Sequence, residues 1–306
     1  MLFDRYLFAD YSGAIDKSAQ RKAIRLAEAS PTTEPIIVTK RFTRDDLVLE
    51  FVSRLREASR LGIRVCFGQD HQYGIPAALG RELALDSLPW REVLTRLCGG
   101  AYGSGAPWLT DARTFAPAFN RWLQAQSRQP YFYSATKASL YGVPPRNPRD
   151  GDKSTYRLTE QCRTTEGSGA PKPFNRVGDN GTVGGQSLVG MRALRRLMTM
   201  CEAEKIRVAA WPFDGLSITD PAYAEAHVLV EPYPTAVRER HVAQTDDADA
   251  LASAARVRDA DIDGTLKQLL DLSSLGAVEA ATVRFEGWIL SHDPSRRKAA
   301  GKHVAG

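Results

Sequence analysis

The run Arg5-Tyr-Leu-Phe-Ala-Asp-Tyr-Ser-Gly13 constrains this chain more than any other stretch. Tyr6, Leu7, Phe8 and Ala9 suit a strand buried on both faces, and Asp10 is the first charge after them, ahead of a turn through Ser12 and Gly13. A carboxylate at that point stands on the lip of a sheet. Sheet lips are where α/β proteins keep their chemistry, because strand ends are rigid and open onto a crevice.

The segments that follow fit the same architecture. Ala14 to Gln20 reads as a polar turn, and the stretches on either side of Ser30-Pro31-Thr32-Thr33 read as a hairpin. Thr43 suits an N-cap with Asp45 and Asp46 in the first turn, and Leu47, Phe51, Leu55 and Ala58 recur at helical spacing until Gly62. Ile63 to Phe67 is a further buried strand, stopping at Gly68-Gln-Asp70. From His71 to Ser134 the chain reads as a helical insertion without evident chemistry. Ser134 to Gly181 is rich in Pro, Gly, Ser and Asn, with Lys137, Arg146, Arg149, Lys153, Arg157 and Arg176 interleaved with Tyr141, Tyr156 and Phe174. Gly184-Gly-Gln186 opens a long helix, Ile206 to Trp211 and His227 to Val230 read as strands, Asp246 to Arg256 as a helix, and Phe285 to Leu290 as a last apolar segment.

With 306 residues, 43% of them apolar, the chain can bury one large core or two modest ones. A single domain over 1–295, with an insertion at about 77–181 and a mobile basic tail over 296–306, is the expectation. Asp4, Arg5 and Asp10 interrupt any signal-peptide segment and no apolar run is long enough to span a bilayer, which points to a cytoplasmic protein without membrane partners. A net charge of +5 permits an anionic partner without demanding one. Cys66, Cys98, Cys162 and Cys201 lack the close pairs of zinc or redox motifs and read as structural thiols.

Three expected strands end in an acid: Asp10, Asp70 and Glu231. A fourth acidic site opens a helix, where Asp246 and Asp249 lie three apart and share a face while Asp247 points elsewhere. Taken singly, such residues are more often turn formers or helix caps. Gathered in one crevice they would repel and raise one another's pKa unless a cation lay between them. Their hard oxygens suit Mg²⁺ or Mn²⁺, and two such ions can promote phosphodiester hydrolysis.

Asp10-Tyr-Ser-Gly13, Gln69-Asp70 with Tyr73-Gly-Ile-Pro76, Gly184-Gly-Gln186, Glu231-Pro-Tyr-Pro234, Asp246 with Asp249-Ala250, and Glu286-Gly287-Trp288 occur in one order along the chain. In this the chain resembles a widespread uncharacterised bacterial family of predicted RNase H-like nucleases, over nearly its whole length. The resemblance implies an RNase H-like mixed sheet flanked by helices, with a helical and basic insertion after the fourth strand. It also implies a metal-dependent nuclease in which Asp10 bridges two metals, Asp70 holds one, and Asp249 with Asp246 completes the site. Glu231 would be an added ligand or a water-orienting base. The chain departs from the family in placing His71-Gln72-Tyr73 between Asp70 and Gly74-Ile-Pro76.

The partner on this reading is DNA or RNA. The basic segment with its interleaved aromatics could grip a strand, as single-strand binding surfaces do, although a solvated loop explains the same charges. Gly184-Gly-Gln186 reads as a tight turn more readily than as a phosphate site, since the phosphate-loop lysine pattern is missing, and Gln186 is a candidate contact to nucleic acid. His71 is a candidate proton shuttle or, more ordinarily, a packing residue. The alternatives are a catalytically idle nucleic-acid or protein-binding module and an actin-like nucleotide-binding protein, which would need a second phosphate loop that the sequence does not display.

Overall fold

A computed structural model describes residues 1–152, 155–164, 172–179, 181–234 and 245–297. Its centre is a mixed six-stranded sheet. The first strand, β1 (Arg5–Asp10), is followed by the short helix α1 (Lys17–Ala23), and then by β2 (Arg25–Ser30) and β3 (Thr33–Ile37). These two strands form the expected hairpin and pair antiparallel, β2 also running antiparallel to β1. The expected polar turn is instead α1, capped by Asp16, whose side chain accepts the amides of Ser18 and Ala19.

Helix α2 (Arg44–Leu61) begins and ends where its sequence says it should. Thr43 and Asp46 form a reciprocal capping box, and Gly62 closes the helix in the left-handed conformation at φ 67°. The strand β4 (Val65–Gln69) then lies parallel to β1. Between β4 and the next sheet strand come α3 (Ala77–Glu82), α4 (Trp90–Gly99), α5 (Ala112–Ala125), α6 (Ala138–Tyr141), a 3₁₀ turn at Leu158–Gln161, the short strand β5 (Cys162–Thr164) and the long helix α7 (Gly184–Ala203). The strands β6 (Val208–Ala210) and β7 (His227–Leu229), and the helices α8 (Asp246–Ile262), α9 (Leu266–Leu269) and α10 (Ala277–Glu286), precede β8 (His292–Arg297). The sheet order is β3-β2-β1-β4-β7-β6, with β1, β4, β7 and β6 mutually parallel.

The apolar alternation of β1 explains the layering. Leu7 and Ala9 point into a core shared with Leu47, Phe51 and Leu55 of α2, Leu188, Met191 and Leu194 of α7, and Phe115 and Phe119 of α5. Tyr6 and Phe8 point into a second core on the other face, with Ala250, Ala254 and Val257 of α8. Small side chains on the inner face of α8 let it lie close against β1 and β2. The insertion therefore packs into the first core rather than standing apart. The expected tail begins later than 296: β8 runs through Arg297 and pairs antiparallel with β5. Residues 298–306 lie outside the described residues. No helix among the described residues is long and apolar enough to cross a membrane.

Candidate functional site

Parallel pairing of Ala9 with Gln69 sets the next residue of each strand, Asp10 and Asp70, side by side at the lip. The Asp70 amide donates to the Ala9 carbonyl at 3.2 Å, carrying the pairing one residue past β4. Asp70 is then fixed from two sides. Its Oδ1 accepts the Tyr11 amide at 2.7 Å and Gln186 Nε2 at 3.0 Å, and the same Gln186 nitrogen donates to the Asp70 backbone carbonyl. Gln186 belongs to the first turn of α7, which Gly13 lets approach closely: a Cβ on Gly13 would lie 3.1 Å from the Gln186 amide nitrogen. Arg44 Nη1 donates to the carbonyls of Ser12 and Ala14, holding the turn between β1 and α1.

Asp10 and Asp70 are half-buried and share a hydrogen bond. Burial raises the pKa of Asp10, and the charges of Asp70, Asp246 and Asp249 raise it further. Burial likewise raises Asp70, against the opposing hydrogen bonds from Tyr11 and Asp10. Two carboxyls in contact cannot both ionise cheaply, so the pair keeps a proton at neutral pH.

The other acids in this field come from α8. Thr245 caps the helix by accepting the Ala248 amide at 3.1 Å, and Asp246, Asp247 and Asp249 occupy its first turn, where the helix dipole favours them. Arg25 positions that turn. It is the residue of β2 directly opposite Asp10, and its Nε lies 2.5 Å from Asp247 Oδ1. The same guanidinium donates to the carbonyls of Arg21, Lys22 and Ile24, closing the end of α1. The structure thus brings Asp10 and Asp70 together and sets Asp246 and Asp249 within electrostatic reach of them. Among the described residues, no three His, Cys, Asp or Glu side chains stand close enough to hold an ion as placed.

Glu231 is engaged by other partners. It is 3% exposed, its two oxygens take the Nη1 and Nη2 of Arg157 at 2.7 and 2.5 Å, and Oε2 also accepts the Tyr73 amide at 3.1 Å. Arg157 is fully buried and also binds Glu160 at 2.9 Å and the Glu286 carbonyl at 3.1 Å. Glu286 in turn accepts the amides of Ala77 and Leu158. This network staples the insertion to β7 and to the end of α10. A buried arginine clamped by two carboxylates is unavailable to a strand of nucleic acid, so Arg157 is scaffold and not the surface contact expected from the sequence.

The remaining basic candidates divide similarly. Arg149 forms a two-pronged pair with Glu82 and lies over the Tyr131 ring, 4.9 Å from its centroid. Arg176 binds Asp179 at 2.8 Å. Lys137 and Arg146 are exposed, and Lys153 lies outside the described residues. His71 is buried between Tyr11 and Tyr73, and burial pulls its imidazole down to about 3, leaving a neutral packing ring. Gly184 serves close packing: a Cβ there would come within 2.4 Å of the Phe174 and Arg176 carbonyls.

Arg25 and Arg44 are parts of the site that no sequence motif marked, and Tyr11, within the Asp10-Tyr-Ser-Gly13 motif, acts through its backbone amide. Arg25 could have been found only from the register of the hairpin. Compared with protein-family models, curated proteins and solved structures, the chain matches none of them.

Proposed function

We propose that the chain is an RNase H-like, divalent-metal-dependent nuclease that hydrolyses phosphodiesters of DNA or RNA. The observation that carries this reading is the Asp10–Asp70 carboxyl pair, held on adjacent parallel strands with two α8 acids pressing on it. The sheet order β3-β2-β1-β4, with an antiparallel hairpin beside two parallel strands, supports the fold family.

The donor set fits a hard cation. It offers carboxylate oxygens alone, and the proton that Asp10 and Asp70 share marks charge that a cation would neutralise. Asp10 and Asp70 would hold Mg²⁺ or Mn²⁺, with Asp249 and Asp246 as the contributors from α8. When bound, the metal supplies polarisation of the phosphodiester and neutralisation of charge at the leaving oxygen. The chain's own groups prepare that site: Gln186 and the Tyr11 amide orient Asp70, and Arg25 steers α8. Glu231 is left out of the ligand set because Arg157 occupies both its oxygens.

The test is cleavage of single- and double-stranded DNA and RNA with Mg²⁺ or Mn²⁺, using wild type and Asp10→Asn. Wild type is expected to cut only with metal, and the variant not at all. Failure of wild type on every substrate would refute the reading. The spacing of the acids favours a second reading, a nucleic-acid-binding module that does not cut. Strand binding that survives Asp10→Asn without any metal-dependent cleavage would select it.

A further inference from the structure

Past Gln186 the lip opens into a cleft of about 580 Å³, solvent-open mouth included, whose walls include Gly13, Ile15, Arg113, Tyr141, Asp179 and Gln186. Gly13 and Gln186 also belong to the carboxyl site, so the cleft leads directly away from Asp10 and Asp70. Its aromatic wall is fixed in place. Gly178, at φ +77°, lies so close to Tyr141 that a Cβ there would come within 2.2 Å of the ring. The Arg113 guanidinium lies over the ring, 5.7 Å from its centroid. Arg113 is exposed, and among the described residues no ion pair engages it.

Asp179, the acid of this wall, does not oppose an anion. Its carboxylate accepts from Ser134 Oγ, Thr136 Oγ1, the amides of Ala135 and Thr136, and Arg176 Nε, at 2.7 to 2.9 Å. Arg113 is therefore an uncompensated positive charge in a partly enclosed cleft. Beside it, Ile15 leaves 45% of its surface exposed and can cover an apolar face.

We propose that this cleft is a subsite for single-stranded nucleic acid, taking the nucleotide next to the scissile phosphate. Its backbone phosphate pairs with Arg113, and its base lies against Ile15 and the open edge of Tyr141. This rests on the phosphodiester reading of the carboxyl site. Apart from the open mouth, the free space is about 190 Å³, less than the about 300–1,000 Å³ of a whole small-ligand site, so it takes part of one unpaired nucleotide and leaves no room for a base-paired partner. The grip thus falls to α5 and α6 rather than to Arg149, Arg157 and Arg176, whose charges are already spent.

Fluorescence anisotropy of labelled dT₁₀ and rU₁₀ in EDTA tests the subsite without cleavage. Arg113→Ala is expected to weaken binding of at least one strand roughly tenfold and to lower the salt slope by about one ion. Arg207→Ala, which removes an exposed arginine paired with Glu225 at 3.1 Å, controls for bulk charge and is expected to leave binding unchanged. A duplex of the same length is expected to bind at least tenfold more weakly. Equal binding by Arg113→Ala and wild type, equal binding of duplex, or no binding of either strand would overturn the subsite. Cleavage separates the two proposals. Arg113-dependent binding without metal-dependent hydrolysis ends the nuclease reading and keeps the cleft, whereas hydrolysis with Arg113-independent binding does the reverse.

Discussion

Replacing Asp10 with Asn should make the metal-free protein more stable. The native fold presses the Asp10 carboxyl against Asp70 and into the field of Asp246 and Asp249, raising its pKa from an ordinary 3.8. A raised folded pKa means that the group's contribution is fully present below the unfolded value and is lost as pH rises toward the folded one. Each pH unit in that window is worth about 1.4 kcal/mol, so at about pH 7.5 a carboxyl kept protonated forgoes at most about 5 kcal/mol. Two unit charges about 4 Å apart at an effective dielectric near 20 give a similar ceiling of about 4 kcal/mol. Asp10 and Asp70 are partly exposed, and solvent screening at the lip cuts either figure to about 2 kcal/mol. Asn keeps the neutral shape and removes the conflict. Thermal unfolding in EDTA should then place the Asp10→Asn transition roughly 4–6 °C above wild type near pH 7.5, at about 2–3 °C per kcal/mol, and the gap should close near pH 4. A variant no more stable than wild type at pH 7.5, or a gap independent of pH, would refute the reasoning.

Breaking the buried network should cost stability rather than chemistry. Arg157→Met leaves Glu231 and Glu160 buried without their partner and should destabilise the fold by about 3–5 kcal/mol, read as a lowered urea midpoint. Arg25→Ala should lower the melting temperature by roughly 2–5 °C, since Asp247 is half exposed but the Arg25 side chain, 11% exposed, also holds three carbonyls at the end of α1. It should also reduce metal-dependent cleavage, because α8 loses its tether, and Arg25→Lys should restore part of the loss. Glu286 is raised by burial from 4.5 to about 7, so its contribution is complete below 4.5 and is lost as pH climbs through 7. Glu286→Gln should accordingly flatten the fall in stability between pH 5 and 8 followed by urea titration at each pH.

What the sequence disclosed was local. The two-sided burial of β1 follows from Tyr6 to Ala9, and the ends of α2 follow from Thr43, Asp46 and Gly62, because caps and alternation act over a few residues. Helix α1 escaped notice because its seven residues carry no apolar stripe, and it is held from outside by Asp16 and Arg25. The lip acids could be named from strand ends, and parallel register then brings Asp10 beside Asp70. Glu231 ends its segment in the same way, yet its role is decided by Arg157, 74 residues distant, a pairing without any periodic signature. Arg149 and Arg176 looked like grips for the same reason: their partners Glu82 and Asp179 are set by folding of the insertion. Arg113 stood unmarked on an amphipathic helix, and only the packing of α5 beside Tyr141 gives its charge a place.

Titration of the metal-free protein with Mn²⁺, followed by calorimetry or by the loss of free-ion paramagnetic resonance signal, reaches the central claim most directly. Saturable binding to wild type that releases a proton near neutral pH, and that disappears in Asp10→Asn and weakens in Asp249→Asn, is the expected result. An ion that does not bind wild type, or that binds Asp10→Asn equally well, would contradict the claim that these carboxyls form a cation site.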